Sequence, residues 1–209
     1  TIPGIIEHLE QSGSHASDSI AVFAPQNLTA KHQEEMRQIT LAIAQKIKIR
    51  GFLTFHFLVF QDRIYVLQVK PYAGHNVAFL AKSLKYDIVA LATRVLSGYQ
   101  LENPDYLNKI WPTKALIHVK MPVFSYINYF GINNVFDSKM KANGSVMGRD
   151  TKLSKALYKG YEGAGLIIPT YGTVFISVND ENKQAAIDLA KRYHRLGFKI
   201  ISTEGTANI

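Results

Sequence analysis

The spacing of apolar and polar positions changes period several times along the chain, and each change marks an element. Thr29 opens a stretch in which Met36, Ile39, Ile43 and Ile47 recur at helical spacing until Gly51. From residue 53 the period falls to two. Residues 53–60 (LTFHFLVF) and 64–70 (IYVLQVK) are β-branched and aromatic runs joined by Gln61, Asp62 and Arg63, which predicts an antiparallel hairpin with alternating faces. Residues 76–84 are again helical. Asp87 is placed to cap a further helix with Ile88, Leu91, Val95 and Leu96 inward and Gly98 at its end. Residues 5–9 and 116–119 read as short strands, the first followed by a polar loop holding His15, Ser17, Asp18 and Ser19. Residues 99–112 are turn-rich. Residues 126–148, with three glycines, show no period and are expected to be irregular, and a helix is expected over 153–163.

The last stretch has a different grammar. Residues 173–178 (TVFISV) suit a buried strand, and Asp180 can cap a helix carrying Ala186, Ile187, Ala190, Tyr193 and Leu196 up to Gly197. Residues 198–201 (FKII) then form a second strand, so the spacing predicts a βαβ unit with parallel strands. Ligands of such sheets sit at the carboxyl ends of the strands, here near Ser177, Thr203, Gly205 and Thr206. The unit stops soon after its second strand. Ile176, Ile187 and Ile200 are therefore expected to be half-buried on an exposed apolar face, with residues 172–209 either disordered relative to the rest or packed against a neighbouring copy. A domain boundary is expected near residues 166–171.

Composition narrows the picture. The 209 residues are 47% apolar, as globular chains are, and they contain no cysteine, which excludes disulfides and thiolate metal sites. No run approaches the roughly 20 apolar residues of a membrane span. No secretion leader is read, and a cytoplasmic location without membrane association is expected. The formal charge of +8 suits a polyanionic partner, nucleic acid or nucleotide phosphate, although a piece of a larger protein that has lost its acidic surroundings would carry it too, and that is the favoured reading. Lys152, Lys155 and Lys159 form a stripe beside Tyr158 and Tyr161. Such a stripe is more often a solvated face than a nucleic-acid contact, and nucleic-acid binding is the least favoured reading.

Several motifs in order resemble the large subunit of carbamoyl phosphate synthetase. Glu7-His8-Leu9-Glu10-Gln11 and His15-Ala16-Ser17-Asp18-Ser19 are similar to that family's EHIEQ and HSGDS. Phe79-Leu80-Ala81-Lys82 resembles PFVSK, residues 140–148 resemble EMKSTGEVMG, and Thr203-Glu204-Gly205-Thr206-Ala207 resembles T-x-GTA. Pro122-Val123-Phe124-Ser125 and Ala156-Leu157-Tyr158-Lys159-Gly160 are similar to the pyrimidine-type synthetases of Gram-positive bacteria. The resemblance implies a mixed α/β and α+β chain. Residues 1–112 would be the C-terminal lobe of an ATP-grasp fold and 113–168 a connecting segment. Residues 169–209 would begin a methylglyoxal synthase-like allosteric domain with a parallel α/β sheet. It implies ATP-dependent carbamoyl phosphate formation for pyrimidine or arginine synthesis, with ATP and Mg or Mn as cofactors. The implied partners are the remainder of the large subunit and a glutaminase small subunit.

The site residues that the resemblance implies are changed. The family places a Gln on the first hairpin strand and Glu-x-Asn on the second to hold metal, followed by arginines. His56, Gln68 and Lys70 stand at the first three positions, and Tyr72 and His75 at two arginine positions. Magnesium needs oxygen ligands. An ammonium about 4 Å from a divalent ion, at an effective dielectric of about 20, is repelled by roughly 8 kcal/mol, an upper bound since the side chain can swing away. His56 alone reads as an ordinary strand histidine, but five changes in one hairpin read as loss of the metal site, with no cofactor held tightly. Lys70 could instead meet a phosphate directly. Asp137-Ser138-Lys139 replaces G-P-E, and Ala142, Asn143 and Ser145 replace further family residues. By the same resemblance, Glu10 and Asp18 match acidic positions that hold an allosteric amine, or else they serve loop hydrogen bonding and helix capping. Ser177, Lys183, Thr203 and Thr206 match positions that hold an effector phosphate, or else they cap strand ends. The expected function is an enzyme-derived chain without catalysis of its own; the alternatives are a nucleotide-effector module and, last, a nucleic-acid binder.

Overall fold

The structure is a computed structural model that describes residues 1–10, 16–101, 107–113, 115–125 and 140–207. It divides into two units, Thr1–Leu166 and Ile167–Ile209. In the first unit the chain runs β1 (Glu7–His8), β2 (Ala21–Phe23), α1 (Ala30–Ile47), β3 (Thr54–Phe60), β4 (Arg63–Lys70), α2 (Val77–Leu84), α3 (Ile88–Leu96), β5 (Ile117–Val123), β6 (Gly144–Asp150) and α4 (Leu153–Gly163).

Strands β1, β2, β5 and β6 form one antiparallel sheet in that order. Side chains alternate across a strand, and β5 divides them cleanly. Val119 and Met121 join Val22 and Ala156 in a fully buried core, with Leu153, Leu157 and Tyr161 of α4 packed against it. His118 and Lys120 point the other way and are also buried. Helix α4 lies directly on the sheet because of two glycines. A Cβ at Gly148 would stand 2.1 Å from the Ala156 carbonyl oxygen and 2.6 Å from the Gly160 amide nitrogen. That close approach corrects the expectation of irregular chain over 126–148. Residues 144–148 are strand, and their sequence hides it because a glycine occupies the packed position. Residues 126–139 lie outside the described ones. Strand β2 was not expected either, being three residues long and too short to show a period. Strand β2 pairs with β5, which brings residues 21–23 and 118–120 together in one sheet, and Ile2 forms an isolated bridge with Ile110.

Helix α1 starts where expected. Thr29 accepts from the His32 amide at 3.2 Å, and the Thr29 amide donates to His32 Nδ1 at 3.4 Å, a capping box with histidine as the returning residue. It ends at Lys48 in the left-handed region rather than at Gly51, and Ile47 is exposed rather than inward. Asp87 caps α3 by accepting from the Val89 and Ala90 amides, although Leu96, expected inward, is 61% exposed. The expected hairpin forms, with Gln61 and Asp62 both at positive φ in a two-residue turn. Asp62 is tied to α1 by Lys31 Nζ at 2.9 Å and His32 Nε2 at 2.6 Å.

The second unit comprises β7 (Thr173–Ile176), a 3₁₀ turn (Asp180–Asn182), α5 (Lys183–Arg195), β8 (Lys199–Ser202) and α6 (Glu204–Ala207). Strands β7 and β8 are parallel, as the βαβ spacing predicts. Asp180 does not cap the helix: the 3₁₀ turn takes it out of position, and it pairs with Lys183 at 2.9 Å instead. Ile187 and Ile200 are half-buried, but Ile176 is 7% exposed because it points under α5, where Ala186 is also buried. Phe175, Leu196 and Ile201 are the exposed apolar residues of this unit's sheet and helix end. Among the described residues no helix is long and apolar enough to cross a membrane.

Candidate functional site

The hairpin register settles which residues share a face. His56 pairs directly with Gln68, and Thr54 with Lys70, so Thr54, His56, Gln68 and Lys70 form a two-by-two patch on one side of the ribbon. A bulge follows His56 and breaks the alternation beyond it. Burial pushes the His56 imidazole below its ordinary pKa, and the Lys70 charge adds to that. Tyr72 and His75, on the segment leaving β4, are exposed, and Thr54 Oγ1 donates to the Tyr72 carbonyl at 3.0 Å. The five positions singled out in the sequence therefore fall on one hairpin and its exit, and three of them share a face. That face offers one imidazole, one amide, one hydroxyl and one ammonium. Its donor set has no carboxylate, and among the described residues no group of three or more His, Asp or Glu side chains could hold a metal ion. Magnesium or manganese does not fit these residues.

A partly buried polar network that sequence reasoning did not find joins β1, the loop before β2, the start of α2 and β5. Lys120 is 5% exposed on the sheet face away from α4, and its Nζ donates to Asn76 Oδ1 at 2.9 Å. A lysine can only donate, so the amide oxygen of Asn76 must face it and the amide nitrogen faces His8 Nε2 at 3.5 Å. His8 Nε2 then accepts, its proton sits on Nδ1, and Nδ1 donates to Ser19 Oγ at 3.0 Å. Ser19 Oγ donates in turn to Glu10 at 2.5 Å. The chain Lys120, Asn76, His8, Ser19, Glu10 has one consistent direction. A neutral His8 agrees with it: burial and then the Lys120 charge push its pKa down, with Glu10 opposing and His56 adding to the fall. Burial likewise lowers the Lys120 pKa, against the pull of Asp18. Asn76 occupies the N-cap position of α2 yet makes no capping bond, because its side chain is committed to this bridge. The signal available in the sequence was a lone lysine inside an apolar strand, between Val119 and Met121.

Glu10 and Asp18 are both engaged. Glu10 also accepts from the Ile20 amide, at 2.7 and 2.9 Å. Asp18, 2% exposed, accepts from the Lys141 and Ala142 amides at 2.8 Å each and so ties the loop before β2 to the lead-in of β6. In the second unit, Ser177 and Thr203 follow the carboxyl ends of β7 and β8. Thr206 Oγ1 accepts from the Val178 amide at 3.3 Å and lies 3.0 Å from Thr203 Oγ1. The Thr203–Thr206 segment forms the start of α6 rather than an open loop. Lys183 is held by Asp180. The lysine stripe of α4 is partly paired, Lys159 meeting Asp150 at 2.7 Å and holding that carboxyl near a pKa of about 2. His15 and residues 137–139 lie outside the described residues. A surface cleft of about 530 Å³ lined by Glu34, Arg37 and Asn108 contains none of these groups.

Comparison with known proteins agrees with the fold first. The structure is similar to the crystal structure of N5-carboxyaminoimidazole ribonucleotide synthetase from Thermotoga maritima, with a TM-score of 0.53 and 11% sequence identity, over 70% of this chain and 44% of that one. The architecture is thus a mixed α/β one, similar to an ATP-grasp fold, and the chain spans less than half the length of that enzyme. Residues 4–104 match the family described as the carbamoyl-phosphate synthase L chain, ATP binding domain. The hairpin, Asn76 and both α2 and α3 fall inside the match.

Proposed function

We propose that this chain is a degenerate relative, or a piece, of the large subunit of carbamoyl phosphate synthetase, and that by itself it makes no carbamoyl phosphate. The family match over residues 4–104 and the ATP-grasp-like fold support the lineage. The observation that supports the loss of activity is the hairpin face, where Gln68 pairs with His56 and Lys70 with Thr54, so that the positions the resemblance assigns to metal carry no carboxylate. The parent reaction is ATP-dependent phosphorylation of carbamate for pyrimidine or arginine synthesis. A larger large subunit and a glutaminase subunit would complete it.

What this chain's residues do follows from their chemistry. Lys70 supplies a fixed positive charge without bridging oxygens. Tyr72 offers a neutral phenol where the resemblance implies a guanidinium, so it cannot share negative charge. The test is to supply the full chain with magnesium-ATP, bicarbonate and ammonia. No carbamoyl phosphate is expected, and calorimetry should give no metal-dependent nucleotide affinity. A micromolar, magnesium-dependent dissociation constant, or measurable product, would overturn this reading. A second reading is favoured by the clustering of Ser177, Thr203 and Thr206 at the ends of β7 and β8: an effector-phosphate module, with Lys183 as its cation. Titration with nucleoside monophosphates against Thr203→Val tests it, and affinity unchanged by the variant would remove it.

A further inference from the structure

Asn76 stands between two bases, and its amide satisfies both only while one is charged and the other neutral. The amide oxygen is turned to Lys120 Nζ at 2.9 Å, so the NH₂ is turned to His8 Nε2 at 3.5 Å. A neutral His8 accepts from that NH₂. A protonated His8 sets an N–H against it, and two half-buried donors then face one another without an acceptor. Turning the amide to serve the imidazolium withdraws its oxygen from Lys120, which is 5% exposed and for which, among the described residues, Asn76 Oδ1 is the hydrogen-bond acceptor. Asp18 attracts Lys120 through space, but both of its carboxylate oxygens accept from the backbone amides of Lys141 and Ala142. The other end of the His8 ring is indifferent to the proton, since Nδ1 carries a hydrogen in either state and goes on donating to Ser19 Oγ at 3.0 Å. Of the charged groups that act on His8, Lys120 of β5 and His56 of β3 oppose its protonation, and Glu10, two residues along the chain, favours it.

We infer that His8, Asn76 and Lys120 form a proton-operated catch between the four-stranded sheet and the start of α2, in which a proton added to His8 displaces Lys120 from Asn76 and loosens α2. His8 and Lys120 belong to β1 and β5 of that sheet, and Asn76 is the residue that precedes α2. Its side chain makes no capping bond, so this bridge is what it contributes there. Burial and then the Lys120 charge push the His8 pKa below its ordinary value of 6.5. The closed form therefore holds at neutral pH, and the open form gathers only in acid below that value. Helix α4 packs on the opposite face of the sheet, against Val119 and Met121, and lies outside the catch. The catch is independent of what the hairpin binds.

The test is amide hydrogen exchange of the full chain, followed by NMR at about pH 7.5 and about pH 5 and corrected for the intrinsic pH dependence of exchange. Residues 80–84 of α2 should lose about tenfold in protection in acid, while residues 157–163 of α4 keep theirs. The nitrogen shifts of the His8 ring should show its hydrogen on Nδ1 at the higher pH and on both nitrogens at the lower. His8→Gln can turn a carbonyl to the Asn76 NH₂ at any pH, so the acid loss in α2 should vanish. In Lys120→Met the amide is free to turn to the imidazolium, and the loss should vanish again, which separates the catch from the mere desolvation of a histidine. An acid loss that persists in Lys120→Met would overturn the catch. So would no loss in α2, an equal loss in α2 and α4, or a neutral His8 with its hydrogen on Nε2. If Lys120→Met fails to fold, His8→Gln decides, and a loss that persists there overturns the catch as well.

Discussion

Strand β5 of the four-stranded sheet is buried over five consecutive residues, whereas β3 and β4 of the hairpin contain no fully buried residue. Both are antiparallel and both carry polar groups, but their neighbours differ. The sheet is pressed between α4 on one face and a hydrogen-bonded polar layer on the other, so each position is fixed by several contacts. The hairpin is held at its turn by Asp62 and otherwise has half-exposed side chains such as Phe60 and Leu67. His56, Gln68 and Lys70, which stand where the resemblance implies metal-holding residues, all lie on the hairpin. Substitution there changes the chemistry of a site at little cost in folding, and substitution in the sheet would cost the fold itself.

The largest expected effect tests that contrast at Gly148. Gly148→Val would force a branched side chain into the backbone of α4, and urea denaturation followed by Trp111 fluorescence should show a loss of at least about 3 kcal/mol. A loss under 1 kcal/mol would mean that α4 can lift off the sheet freely. Next comes Asp18→Ala, which leaves the Lys141 and Ala142 amides without their acceptor. It should cost about 2–4 kcal/mol by the same measurement.

A smaller effect is expected from pH. His8 and His118 have pKa values lowered chiefly by burial, then by Lys120 and by Arg149 respectively, so the unfolded chain binds their protons more readily than the folded one. Stability is therefore fully present above the ordinary histidine value of 6.5 and falls as the pH drops below it. Denaturation midpoints between pH 7.5 and 5.5 should decline, and His8→Gln should flatten part of the decline. A stability that is constant or rises toward acid pH would show that neither ring is buried as described. The smallest effect belongs to the hairpin pair Gln68→Glu with Lys70→Asn, expected to change stability by no more than about 0.5 kcal/mol. A larger loss would mean that the hairpin, too, is tightly packed.

Periodic elements were legible in the sequence. Helix α1 with its Thr29 cap, the β3–β4 hairpin, α3 with Asp87, α4 and the parallel β7–β8 pair each repeat a period long enough to read. Strands β2 and β6 were not, the first being too short and the second carrying Gly148 where an apolar side chain would have marked the buried face. Asp18 shows a related limit. It sits in a run of Ser, Asp and Ser that reads as solvated loop, yet it is buried because two backbone amides from residues more than a hundred positions later need an acceptor. The shared face of His56, Gln68 and Lys70 follows from alternation alone. The Lys120 network does not, since its members come from β1, the loop before β2, the end of the hairpin connection and β5, and no local pattern joins them.

Asn76 gives that network a property unlike that of a chain of waters. A carboxamide passes no proton from its oxygen to its nitrogen at ordinary pH, so nothing is conducted between Lys120 and Glu10. Orientation is transmitted instead. Turning the amide by half a revolution would set its NH₂ against the Lys120 ammonium and leave His8 Nε2 facing an oxygen, which would force the ring to change tautomer and Ser19 to reverse its hydroxyl. One buried lysine, which can only donate, thereby works as a latch that sets the hand of three side chains, Asn76, His8 and Ser19.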